Sequence, residues 1–230
     1  MYIPPARKTL IVLTGIIFIL ILLNITSYLN VHINDLGQND AFFKMTNFDT
    51  EKNIPSIFSS LLHFLASIFL GVIAISDLSL RKSQTFWLTL SVVFLFLGFD
   101  ELLRIHENIS GHTALKEQNE GPFLYIWILY YLGALLLLGI FFFKPLFRLP
   151  RPTLLNYILS GLIFISGAVV LENITGKHIW SRGIHPEIIN VVPEIFILYA
   201  IEESLEMFGI SFFIYSTLKF LHKYRVPAVI

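Results

Sequence analysis

The segment IFILYAIEESLEMFGISFFIYSTLKFL, residues 195–221, is apolar enough to enter a membrane, yet it carries Glu202, Glu203 and Glu206. The part beyond the glutamates, Met207 to Leu218, covers only about 18 Å as a helix, against a hydrocarbon core of about 30 Å. If this helix crosses a bilayer at all, its glutamates must lie inside. Ionisable groups at such depth mark functional sites by default.

The rest of the chain has the same character. Of 230 residues 55% are hydrophobic and 14% charged, with mean hydropathy +0.73, far more apolar than a soluble domain. A spanning helix needs about 20 mostly apolar residues. The spacing predicts an all-α transmembrane bundle of six such helices, over 10–29, 55–75, 85–106, 123–143, 154–172 and 191–221, forming one integral membrane domain over 1–230. The first stretch follows Arg7 and Lys8 as a secretory leader would. Its apolar core is longer than a leader's and no small-residue cleavage pattern follows, so it is read as an uncleaved first helix.

Lys and Arg in short loops mark the cytoplasmic side. Arg7, Lys8, Arg81, Lys82, Lys144, Arg148, Arg151, Lys219, Lys223 and Arg225 fall on one side, and Asp77 is the one acidic residue there. The chain is therefore expected N-in and C-in, in the plasma (inner) membrane, with its acids facing outwards although 16 basic and 16 acidic residues cancel overall. The long loops, 30–54, 108–122 and 173–190, fall on the outer side, while 76–84 and the proline-bearing 144–153 make tight inner connections. The absence of cysteine excludes disulfides and thiolate ligands. Membrane lipids are the expected surroundings, nucleic acid is not an expected partner, and the oligomeric state is left open.

Depth brings the polar groups to one level. Thr85 to Phe99 covers only about 22 Å, leaving Asp100 and Glu101 in the outer third of the bilayer. Helix 2 enters at Pro55, which puts Ser59, Ser60 and His63 roughly 6 to 12 Å below the outer surface. Glu172 closes the outer end of helix 5. Residues three, four and seven apart share a helix face, so Asp100, Arg104 and Glu107 are expected as one stripe, a salt-bridge ladder in its simplest reading, with Glu101 flanking and His106 on the far side. Tyr199, Glu202, Glu206 and Gly209 share a face of the last helix, with Glu203 beside them. Three carboxylates packed this closely must be protonated, paired with another helix or bound to a cation. His112, His178 and His185 are expected in outer loops.

Carboxylates and imidazole on neighbouring helices are the ligand set of Zn, Fe or Mn, and bundles build di-metal sites from inward glutamates and Glu-x-x-His pairs. Glu203-x-x-Glu206 has the spacing, but the chain has no Glu-x-x-His. The expected metal ligands are His63, Glu101, Glu172, Glu202 and Glu206, with Glu203 or Asp100 as general base and Arg104 orienting a carboxylate or substrate headgroup. Ser59-x-x-x-His63, Asp100-Glu101 and paired groups four apart on the last helix resemble the design of the ceramidase-like membrane hydrolases. Those enzymes carry His-x-x-x-His where this chain has Glu202-x-x-x-Glu206, and the chain is not assigned to them.

Below the acidic level the helices offer only hydroxyls, one amide and small residues, among them Ser67, Thr89, Ser91, Asn156 and Ser160. This favours a metal-dependent membrane enzyme, hydrolase or oxidoreductase, acting on a lipid or other apolar substrate. The alternatives are a cation- or proton-binding transporter or channel, and a structural or assembly subunit. Neither an internal repeat nor a broken helix is evident in the sequence. The topology is checked by reporter fusions: those after Arg81 and Arg148 should read cytoplasmic and those within 30–54 exterior, and the reverse at either position overturns the facing.

Overall fold

The computed structural model describes residues 3–37, 39–50, 52–76, 84–112, 125–184 and 191–224. Among them there is no strand. In chain order the helices are α1 (Ala6–Asn34), α2 (Ala41–Thr46), α3 (Ile54–Ile75), α4 (Gln84–Leu103), α5 (Ile105–His112), α6 (Ile126–Phe147), α7 (Arg151–Ile165), a π-helical segment (Ser166–Leu171), α8 (Glu172–Arg182) and α9 (Pro193–Tyr224). Among the described residues five stretches are long and apolar enough to cross a membrane: Ala6–Asn34, Ile54–Ile75, Gln84–Leu103, Trp127–Phe147 and the continuous run Arg151–Arg182. α9 is longer than any single α-helix among these, but its glutamates and lysines dilute its apolar character.

α9 is the centre of the bundle and packs against α1, α3 and α7, while α3 and α4 form a hairpin. The buried face of α9 includes Met207, Ile214, Leu218 and Leu221, which meet Leu70 and Ile73 of α3 and Ile17 of α1. Aromatic rings continue this core: Phe213 stacks on Phe94 of α4 at 4.6 Å and on Tyr157 of α7 at 4.5 Å. Wherever helices this apolar lie in lipid, no hydrophobic effect drives them together and close packing and hydrogen bonds hold them. α3 and α4 supply a reciprocal serine clasp, with Ser67 Oγ donating to the Ser91 carbonyl at 2.7 Å and Ser91 Oγ to the Ser67 carbonyl at 2.8 Å. Nearer the acids, Ser60 Oγ donates to the Gly98 carbonyl at 2.7 Å.

Several expected boundaries are corrected. α1 begins at Ala6 and runs to Asn34, and the segment expected as an outer loop contains α2, capped by Asp40 on the Phe43 amide. α3 starts with a capping box between Asn53 and Ser56. α6 extends through Pro145 to Phe147, with a kink at Phe142, because a proline ring clashes with the carbonyl four residues before it. The helix expected over 154–172 continues to Arg182, where Gly183 closes it in the left-handed conformation. His178, expected in a loop, sits on α8, and its Nε2 is buried. His185, Asp77, Arg81 and Lys82 lie outside the described residues.

Two interruptions matter most. The helix expected over 85–106 stops at Leu103, turns at Arg104 with φ +58°, and restarts at Ile105. The other is the π segment, where one extra residue per turn shifts the register; such segments recur at functional sites. It lies against α9 at the glutamates. A Cβ on Gly167 would meet the Glu202 carbonyl oxygen at 2.6 Å, and one on Gly209 would meet the Phe164 amide nitrogen at 2.8 Å. Gly161 has nothing within 4 Å of its Cβ position. Gly167→Ala should therefore cost about 1–3 kcal/mol by overpacking, while Gly161→Ala should be neutral or gain up to about 1 kcal/mol of helix propensity. Thermal unfolding of the two variants in one detergent checks the contrast.

Candidate functional site

The Gly167 crossing brings α9's acidic turn against the start of the π segment, and Glu172 follows directly after that segment. Glu202 is buried, and its Oε2 accepts from Thr175 Oγ1 of α8 at 3.2 Å. Glu172 Oε1 accepts from Trp127 Nε1 of α6 at 3.2 Å. Glu206 packs on Gly167 and lies within electrostatic reach of Glu203, Glu101, Glu202 and Glu172. Glu101 comes from α4, so the layer draws its carboxylates from α4, α8 and α9, and α6 reaches it through Trp127.

Asp100 is buried beside this layer. Its two oxygens grip one residue: Oδ1 accepts from the His106 backbone N–H at 2.8 Å and Oδ2 contacts His106 Nδ1 at 3.1 Å. The carboxylate thereby caps α5 after the turn at Arg104, the role an N-cap side chain plays locally. The expected Asp100-Arg104-Glu107 stripe is thus corrected, because a continuous helix face does not exist across Arg104. His106 is corrected too: it is turned inwards onto Asp100 and packs on the Trp127 ring at 5.0 Å.

Burial alone would lower the His106 pKa, but the hydrogen bond and charge of Asp100, with Glu172 and Glu101 behind them, outweigh it and raise the imidazole from 6.5 to about 9. A histidine whose pKa is raised on folding contributes stability that is complete below the unfolded pKa and is lost as pH climbs through the folded one.

His63 is buried on α3, with Nδ1 at 3.0 Å from the Ser59 carbonyl. That contact requires the proton on Nδ1, so Nε2 presents its lone pair; it is buried and makes no hydrogen bond. Phe94 and Phe164 flank the ring at 6.2 and 5.9 Å, and Asp100 is its electrostatic neighbour. Among the described residues no group of three or more His, Asp or Glu side chains is arranged to hold a metal ion. The glutamates expected as ligands are gathered, but not in ligand geometry.

Sequence reasoning missed four contributors. Trp127 and Thr175 hydrogen-bond Glu172 and Glu202, His106 holds Asp100, and Asp49, from the segment after α2, is an electrostatic neighbour of both Glu202 and Tyr199. None of the four carried a local signal, since six residues on an unbroken helix put His106 and Asp100 on different faces.

Residues 10–220 match the model of a domain of unknown function, DUF8692, and the chain belongs to that family. No curated protein and no solved structure matches the chain. For the Asp100–His106 pair, the stability difference between wild type and His106→Gln should be constant below pH about 6.5 and close between there and about 9. Denaturation followed against pH checks this, and a difference that grows with rising pH contradicts it.

Proposed function

We propose that this member of DUF8692 is an integral membrane protein of six spans, with α9 as the sixth and both termini cytoplasmic. Its acidic layer then lies near the extracytoplasmic side and takes up a divalent metal ion for chemistry on a lipid or other apolar substrate. The observation that carries this reading is the surroundings of Glu206, whose electrostatic neighbours Glu203, Glu101, Glu202 and Glu172 are all carboxylates. Like charges in low dielectric need a proton or a cation among them. Glu202, Glu206, Glu172 and Glu101 would hold the ion, with the His63 Nε2 lone pair as the nitrogen donor. Such an ion would lower the pKa of a water towards neutrality or, if redox-active, support oxidation.

The protein's own groups divide the remaining work. Thr175 and Trp127 fix the orientation of Glu202 and Glu172, as partners of ligand carboxylates do. Glu203, only partly buried at the edge of the layer, is the base. Arg104, at the turn between α4 and α5, is placed to orient an anionic headgroup.

A second reading is cation or proton transport. It is favoured by the turn at Arg104 and the π segment, since transport sites are built where helices are interrupted. Elemental analysis of the purified protein separates the two. The enzyme reading expects near-stoichiometric Zn, Fe or Mn, lost in Glu206→Gln while the variant still inserts and folds. Protein that is metal-free after metal supplementation, with Glu206→Gln unchanged, removes the enzyme reading in favour of transport.

A further inference from the structure

α6 is held against α4 by two pairs of rings. The Tyr131 ring lies 6.1 Å from that of Phe96 and the Phe142 ring 5.6 Å from that of Phe86, so the two helices run antiparallel. The stretch between these aromatic bars is about 16 Å long on α6 and about 15 Å on α4. Ile128, Leu135 and Phe142, spaced by seven, share one face of α6. Ile128 is fully buried and Phe142 half-buried, but Leu135 is 50% exposed. Gly139, on the same face, has nothing within 4 Å of its Cβ position. Ala134 to Leu137 are consecutive exposed residues that together go round most of the helix, so at this level no side of α6 is buried. Across from them Thr89 and Val93, which share the α4 face of Phe86 and Phe96, are only half-buried.

The window between the bars is lined by leucine, valine, threonine and bare backbone, which suits an apolar occupant. Closed above and below, it does not admit a spanning helix, which needs about 30 Å of clear height. Its length instead equals about half the hydrocarbon core, the reach of one leaflet's acyl chains. Charge identifies the other end of the occupant. Just past the Phe86–Phe142 bar, Lys144, Arg148 and Arg151 are exposed at the connection from α6 to α7, and no Asp or Glu occurs from Tyr125 to Leu171. Cations at the mouth of an acyl-length window suit a negatively charged headgroup.

We propose that this window binds one acyl chain of an anionic phospholipid whose phosphate rests on Lys144, Arg148 and Arg151. Lys144 lies about 3 Å past Phe142 along the helix, so the headgroup sits at the level of the lower bar and the chain runs along α6 past Gly139 to Leu135. A second copy of the protein laid on the outer face of α6 would leave Leu135 and Gly139, which face α4, uncovered. The lipid site is separate from the acidic layer and stands whether or not the glutamates hold a cation.

The test uses the full chain in nanodiscs of phosphatidylcholine and phosphatidylglycerol in equal amounts, with the lipid retained on the released protein read by native mass spectrometry. Wild type is expected to retain phosphatidylglycerol about tenfold over phosphatidylcholine, the factor that one or two basic contacts near a headgroup supply. Gly139→Leu puts a side chain into the window and should abolish retention. Gly133→Leu adds the same side chain on the opposite face of α6, again with nothing within 4 Å of the Cβ position, and should retain lipid like wild type. Lys144→Gln together with Arg148→Gln changes only exposed residues and should bring the lipid ratio to one, whether or not Gly139→Leu folds. The proposal is overturned if wild type holds no lipid or shows no preference, if Gly139→Leu retains like wild type, if Gly133→Leu loses the lipid too, or if the glutamine pair keeps the preference. A lipid-free dimer that Gly133→Leu breaks overturns it in favour of a second copy on α6. Metal content should be the same in all four proteins.

Discussion

A helix that carries three glutamates within five residues cannot present them to hydrocarbon, and the rest of this structure follows from where it puts them instead. α9 is surrounded by α1, α3 and α7. Its acidic turn is pressed against backbone at Gly167, where even a methyl group would collide with the Glu202 carbonyl. Packing at such a crossing buries Glu202 and leaves the carboxylates within electrostatic reach of one another. Thr175 and Trp127 supply donors to Glu202 and Glu172. Neutral donors orient carboxylates without cancelling charge, so the repulsion among them persists wherever they are ionised.

The helix interruptions belong to the same problem. A regular helix through residue 106 would carry His106 away from Asp100. The turn at Arg104 swings the imidazole back, so that both oxygens of one buried carboxylate are satisfied by a single residue. The π segment precedes Glu172 directly, and one residue of extra winding changes the angle at which everything after it leaves the helix. Both departures from regularity occur at the level of the acids, while the serine clasp between α3 and α4 lies within ordinary α-helix. Strain concentrated in this way is commonly found at functional sites.

The helical class and the membrane-length apolar helices, five among the described residues, were legible because composition and run length encode them directly. The gathering of Glu101, Glu172, Glu202, Glu203 and Glu206 was legible from depth alone, since residues at one level on neighbouring helices must meet. Angular reasoning failed where its premise of unbroken helix failed. The DELLRIHEN stretch holds no glycine or proline to announce the turn at Arg104, and a six-residue spacing has no meaning on a regular helix. Asn173, Thr175 and Gly176 read as loop residues. They stay helical because Thr175 finds a buried partner in Glu202, and the stop comes only at Gly183. No local pattern signals that Asp49, beyond α2, lies close to Glu202; that proximity exists only once α1 and α9 have packed.

The central claim is that α9's glutamates are turned into the bundle, onto the π segment and α8, and away from lipid. A side-chain-resolved experimental structure in lipid nanodiscs tests this most directly. The account predicts Gly167 against the Glu202 carbonyl, the Thr175–Glu202 and Trp127–Glu172 hydrogen bonds in place, and the Glu206 carboxylate among those of Glu101, Glu172 and Glu203. A map in which α9 is rotated so that Glu202 and Glu206 face lipid, or in which a regular α-helix replaces the π segment and the crossing opens, would contradict it.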